Sequence, residues 1–182
     1  ELVGAYTYDA AKAGRDIGEL CGIDPIGVTA TADLDALLAL DADAVVYAPM
    51  LPNTDEVLTL LRSGLNVVTP TGWFYPFAAH DVAELEGACR EAGVSLHGTG
   101  INPGGITEQL PLVLSAYCRD IHHVRAEEFS DIRTYASAFV VREIMLFGKP
   151  PEEAANSPML GILGDGFGQS IDMVAAAVGW EL

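Results

Sequence analysis

Positive charge is the scarcest thing in this 182-residue chain. Lys12, Lys149 and seven arginines face 26 acidic residues, for a formal net charge of −17. That excludes nucleic acid as a natural partner, because affinity for it comes mostly from neutralised phosphates. Anionic membrane surfaces would be repelled as well. Cysteine is also sparse. Cys21, Cys89 and Cys118 are odd in number and far apart, with neither a metal-ligand spacing nor a disulfide framework. Cys89 and Cys118 fall in helical patterns and read as reduced core residues. No apolar run reaches the roughly 18 residues of a membrane span, and no signal-peptide pattern opens the chain. A soluble, cytoplasmic protein is expected. A G-x-G-x-x-G turn after the first strand, the usual mark of a dinucleotide fold, is missing too.

Half of the residues are hydrophobic, enough for a real core. Short apolar runs alternate with helical patterns about every 25 residues through the first half. Residues 2–8, 28–30, 44–48, 66–69 and 94–97 read as strands. The run at 44–48 is uniformly apolar, as expected of a parallel strand buried on both faces. Residues 10–21, 33–40, 54–62 and 80–91 read as helices. Thr31 or Asp33, Asn53 or Thr54, and His80 or Asp81 start the last three, and Gly64 and Gly93 stand where helices end. The rhythm is that of parallel βαβ units with right-handed crossovers.

After residue 117 the rhythm changes. Residues 121–129 read as a longer strand, on which His122 and His123, or Glu127 and Glu128, point to opposite faces and cannot share a ligand. The histidines therefore read as one surface and one packed ring, and no metal is expected. Residues 149–153 read as a turn and the start of a helix. Gly164-Asp165-Gly166-Phe167-Gly168-Gln169 reads as the start of a helix over 170–178, with phosphate binding at its amides as the sharper alternative.

Four positions carry candidate chemistry. The stretch His97-Gly98-Thr99-Gly100-Ile101-Asn102-Pro103-Gly104-Gly105 joins a strand end to a helix, and its glycines leave backbone bare for a flat ligand. Asn102 has an amide suited to orienting a substrate. Tyr75, in an aromatic loop with Trp73 and Phe74, is either a proton donor or a packed wall of a cleft. Asp9 ends the first strand, where an acid bonds adenosine ribose hydroxyls, or simply caps a turn; Lys12 and Arg15 would instead meet a 2′-phosphate.

The strings Asn66-Val67-Val68-Thr69, Tyr75-Pro76, Gly98-Thr99-Gly100-Ile101-Asn102-Pro103-Gly104 and Phe147-Gly148-Lys149-Pro150-Pro151 resemble the dihydrodipicolinate reductase-like dehydrogenases. That group includes the 2,4-diaminopentanoate and native amine dehydrogenases. The resemblance implies an α/β fold: a Rossmann-like parallel sheet whose first strand is missing, then part of an α+β substrate domain. Residues 1–118 would form the dinucleotide-binding domain, and residues 119–182 part of a substrate or oligomerisation domain. It implies NAD or NADP as cofactor, and hydride transfer at a C–N centre of a small amine or imine. Asp9 and Lys12 would meet the adenosine end, and Tyr47, Ala48 and Pro49 would lie along the cofactor. Thr71, Thr99, Gly100, Asn102 and Gly104 would lie by the nicotinamide and substrate. The expected assembly is a homodimer.

Two departures stand out. Amine dehydrogenases carry a carboxylate in the loop before the Tyr-Pro pair, and residues 70–74 here hold none. The histidine and lysine signature of true dihydrodipicolinate reductases is also absent. The alternative reading is a non-catalytic dinucleotide- or metabolite-binding homologue. The chain is expected to lack both ends of the family's fold.

Overall fold

The computed structural model describes residues 1–78 and 82–182. His80 and Asp81, expected to start a helix, lie outside the described residues. The chain forms two compact units. The first comprises Glu1–Val46, Asn53–Val67 and Glu84–Leu96; the second comprises Tyr47–Pro52, Val68–Ala83 and His97–Leu182.

In the first unit, β1 (Ala5–Tyr6) pairs in parallel with β2 (Ala30–Thr31), Ala5 opposite Ala30. The region between them is less helical than expected. Gly14 takes φ +82°, and only α1 (Ile17–Leu20) forms. Asp16 caps it through the Gly18 amide at 2.7 Å and also accepts the amides of Ile26 (3.0 Å) and Gly27 (2.7 Å). One short side chain thus satisfies a helix end and the following turn together.

Asp33 caps α2 (Leu34–Leu38), and Asn53 caps α3 (Thr54–Arg62) through the amides of Asp55 and Glu56. Val57, Leu58, Leu60 and Leu61 recur at helical spacing and are all buried, Val57 and Leu61 completely. With Leu65, Val67, Leu85 and Ala88 they make an apolar centre. Gly64 (φ +90°) and Gly93 (φ +69°) end α3 and α4 (Val82–Ala92) as expected.

A second sheet has the order β3-β4-β5, with β3 at Ala44–Val46, β4 at Asn66–Thr69 and β5 at Leu96–Gly98. Its hydrogen bonds run in parallel register: Asn66 to Asp43 and Tyr47 to Val68 on one side, Val67 to Ser95 and Thr99 to Thr69 on the other. The fold is the expected α/β, Rossmann-like one. One expectation fails. β3 is not buried on both faces, and Val46 is 76% exposed. Among the described residues β1 and β3 each bond a single neighbouring strand, so both are edges. In a doubly wound sheet one strand would stand between them.

The second unit holds α5 (Leu110–Ser115), α6 (Pro151–Ala155) and α7 (Pro158–Val178). The expected strand over residues 121–129 is absent, and the stretch has no regular structure. A strand needs a neighbour to satisfy its backbone, and no described strand pairs with it. His122 and His123 are both exposed, where one packed ring was expected, and so is Cys118. Residues 164–169 do not start a helix but lie inside α7. Ser157 caps α7 and Pro158 opens it, a stronger start signal than any residue downstream. The amides of the glycine-rich run are therefore committed to the helix ladder. Among the described residues no helix is long and apolar enough to cross a membrane.

Candidate functional site

The glycine bend follows β5 at the carboxyl end of its sheet, where open α/β sheets bind ligands. It lies wholly in the second unit. Thr99 ties it to β4, its amide donating to the Thr69 carbonyl at 2.8 Å. Asn102, Pro103 and Gly104 leave helical geometry, and Gly104 sits at φ +129°, a region only glycine adopts readily. From Gly105 the chain turns helical toward α5.

The glycines serve the protein's own backbone. A Cβ at Gly98 would stand 2.2 Å from the Trp73 carbonyl oxygen and 2.4 Å from that of Gly72. At Gly100 it would meet the Pro103 carbonyl at 2.6 Å, and at Gly105 the Gly100 carbonyl at 3.3 Å. The bareness expected to admit a flat ligand is first a requirement of the aromatic loop and of the bend folded on itself.

A chain of polar contacts runs below the bend. The Glu108 side chain is 1% exposed. It accepts the Gly104 amide at 2.5 Å and the hydroxyl of Ser170, itself 4% exposed on α7. A buried carboxylate without such donors would be strongly destabilising. Thr107 donates its hydroxyl to Asn102 Oδ1 at 3.3 Å, and Asn102 Nδ2 donates to Glu128 Oε2. A donor on the oxygen side and an acceptor on the nitrogen side fix which way the Asn102 amide faces. Among the described residues one N–H of Nδ2 is left over, since the group carries two.

Tyr75 lies half-buried, its ring edge-on to Phe77 at 5.0 Å. Its backbone N–H donates to Gln169 Oε1 on α7 at 3.1 Å. Trp73, two residues earlier, holds φ +54°, a sparsely populated conformation for a bulky residue. Thr71 and Thr69 share a hydroxyl contact of 2.8 Å. Tyr47 is buried after β3, Ala48 is exposed and Pro49 half-buried.

Thus Asn102, Gly100, Gly104, Thr99, Thr71, Tyr75 and residues 47–49 fall in one unit, beyond the ends of β3, β4 and β5. Asp9 and Lys12 belong to the other unit. There Asp9 closes a turn after β1, its carboxylate accepting the Ala11 amide at 2.9 Å. Among the described residues no three His, Cys, Asp or Glu side chains gather to hold a metal.

Sequence reasoning missed Glu108, Thr107 and Ser170. One signal was present. Glu108 is a lone acid in an otherwise uncharged stretch from 98 to 118, four residues after Gly104, so it lies one turn beyond the bend. Its partner Ser170 lies 62 residues away, and no local pattern reports that.

No protein-family model matches the chain. It is 36% identical, over 194 aligned positions, to an amine dehydrogenase from Streptomyces virginiae, covering all of this chain and 53% of that protein. It is 30% identical over 133 positions to 2,4-diaminopentanoate dehydrogenase from Acetoanaerobium sticklandii, covering 70% of this chain and 37% of that one. The solved amine dehydrogenase of Mycobacterium smegmatis superposes with a TM-score of 0.59 at 28% identity, over 66% of this chain and 38% of that protein. The chain spans about half the length of the first of these relatives, and less of the others.

Proposed function

We propose that this chain, a homologue of amine and 2,4-diaminopentanoate dehydrogenases, is the cofactor-facing part of an NAD(P)-dependent oxidoreductase acting at the C–N centre of a small amine or imine. The observation that carries the reading is the fixed Asn102 amide, bonded to a carboxylate, at the carboxyl edge of a parallel sheet.

The residues beyond β3, β4 and β5 suit a nicotinamide dinucleotide. Parallel strands end together there, and Ala48, Pro49, Thr71 and Thr99 are not fully covered. Tyr47, Ala48, Pro49, Thr71, Thr99, Gly100 and Gly104 would hold it. When bound, the cofactor would take up or give a hydride. Asn102 would present its remaining N–H to the substrate. Glu128, exposed apart from its bond to Asn102, would accept a proton from the substrate nitrogen, a role for which residues 70–74 offer no acid. Tyr75 would wall the site or donate a proton.

Mixing the chain with NAD⁺ or NADP⁺ and a panel of amines, and following the absorbance of the reduced nicotinamide, tests the reading. Asn102→Ala is expected to cost about a hundredfold in turnover, the scale of a misoriented substrate, with little change in unfolding. Wild-type rates in that variant would discard the assignment.

A second reading is a non-catalytic dinucleotide- or metabolite-binding homologue, favoured by the missing acid at 70–74. It predicts cofactor binding without turnover for every amine and ketone tried.

A further inference from the structure

We propose that Gln169 and Ser170, neighbours on α7, are positioning residues that hold the two candidate catalytic residues, Tyr75 and Asn102, by separate routes. The inference rests on the function proposed above. Gln169 accepts the backbone N–H of Tyr75 at 3.1 Å. Ser170 donates to Glu108, and Glu108 accepts the N–H of Gly104, two residues past Asn102. One turn of one helix therefore meets both loops.

The proton count is consistent with this wiring. A serine or threonine hydroxyl has one proton to give. Ser170 gives its proton to Glu108 and Thr107 gives its own to Asn102, so the 3.4 Å approach of the two hydroxyl oxygens carries no proton between them. The Ser170 route thus reaches Asn102 through the Gly104 backbone, not through Thr107. Burial fits as well. Ser170 and Glu108 are both more than nine-tenths covered, where an unmatched polar group is costly. Of the glycines upstream on α7, Gly166 faces the bend: a Cβ there would stand 3.7 Å from the Pro103 ring, an ordinary contact, whereas Gly161, Gly164 and Gly168 have open space. Gln169 and Ser170 are then explained by contact with the two loops rather than by phosphate binding.

The test has two readouts. The first is hydrogen exchange of the Tyr75 and Gly104 amides, followed by NMR in the full chain. The second is steady-state amine oxidation. Gln169→Leu is expected to speed exchange at Tyr75 at least tenfold and leave Gly104 within twofold. Ser170→Ala is expected to do the reverse. Each should lower kcat about tenfold with KM within twofold. Gln169→Glu and Ser170→Thr, which keep the acceptor and the hydroxyl, should return kcat to within threefold.

Unchanged protection at both amides overturns the proposal, whatever happens to kcat. So do altered amides with wild-type kcat. If no amine is oxidised even by the parent chain, the function proposed above fails, and the exchange pattern alone decides whether α7 holds the two loops. Should Ser170→Ala not fold, Gln169→Leu, at a half-buried position, still decides the Tyr75 arm, and Ser170→Cys takes its place for the other.

Discussion

Among the described residues the first unit buries only apolar side chains, and the second buries polar ones as well. The first closes over Val57, Leu61, Leu65, Val67, Leu85 and Ala88, all apolar. The second buries Thr69, Glu108 and Ser170 as well as Tyr47, Val174 and Ala175, and both units leave several large apolar side chains exposed. An apolar centre is stabilised by area removed from water and needs no particular geometry. A polar centre is stable only while every donor meets its acceptor, and so it specifies one arrangement. The difference assigns the units different work. The first supplies stability, and the second holds a few side chains in fixed relation.

The largest effect should come from the apolar side. Leu61→Ala, at a position with no exposure, removes contacts on all sides and is expected to cost about 2–5 kcal/mol. Urea unfolding measures it. A cost below 1 kcal/mol would mean that the apolar centre is not what holds the first unit together.

On the polar side the expected cost is of similar size but of another origin. Glu108→Leu leaves the Gly104 amide and the Ser170 hydroxyl without an acceptor, at about 1–3 kcal/mol for each buried group left unpaired. Adding Ser170→Ala to that variant should recover part of the loss, because one orphaned group is then gone. Strictly additive costs would break the comparison, since they would make Glu108 and Ser170 independent packing residues.

This contrast also explains what could be read beforehand. Asp33 and Asn53 cap their helices, and Gly64 and Gly93 end theirs, because each acts on amides or dihedrals within a few residues. The apolar stripe of α3 is equally local. The Glu108–Ser170 bond spans 62 residues and the Tyr75–Gln169 bond 94, and neither leaves a periodic trace. The glycine bend was legible as a position but not as a cause: Gly98 is needed by the Trp73 carbonyl before any ligand is considered. The strand expected at 121–129 failed for a related reason. Its apolar residues fit a strand, but strand formation depends on a partner, and that information is not in the segment itself.

The smallest effects separate the units by pH. In the first, Asp16 is held below its ordinary value of 3.8, chiefly by the Ile26 amide and further by those of Gly27, Gly18 and Glu19. An acid whose folded value is depressed adds stability that is complete above 3.8 and fades as pH falls through the lowered value. In the second, Lys149 is held above 10.5, first by the Glu143 carboxylate at 3.0 Å and then by Glu153 at 3.2 Å. A base with a raised folded value adds stability below 10.5 that fades as pH climbs through the raised value. Both groups lie near the surface, where water and salt weaken such pairs, so each shift should be modest. Urea midpoints followed from pH 5 downward should fall less steeply in Asp16→Asn than in the parent chain. Midpoints followed from pH 9 upward should fall less steeply in Lys149→Met. A parent-like acid slope in Asp16→Asn would mean that the four amides around that carboxylate stabilise its charge no better than water does.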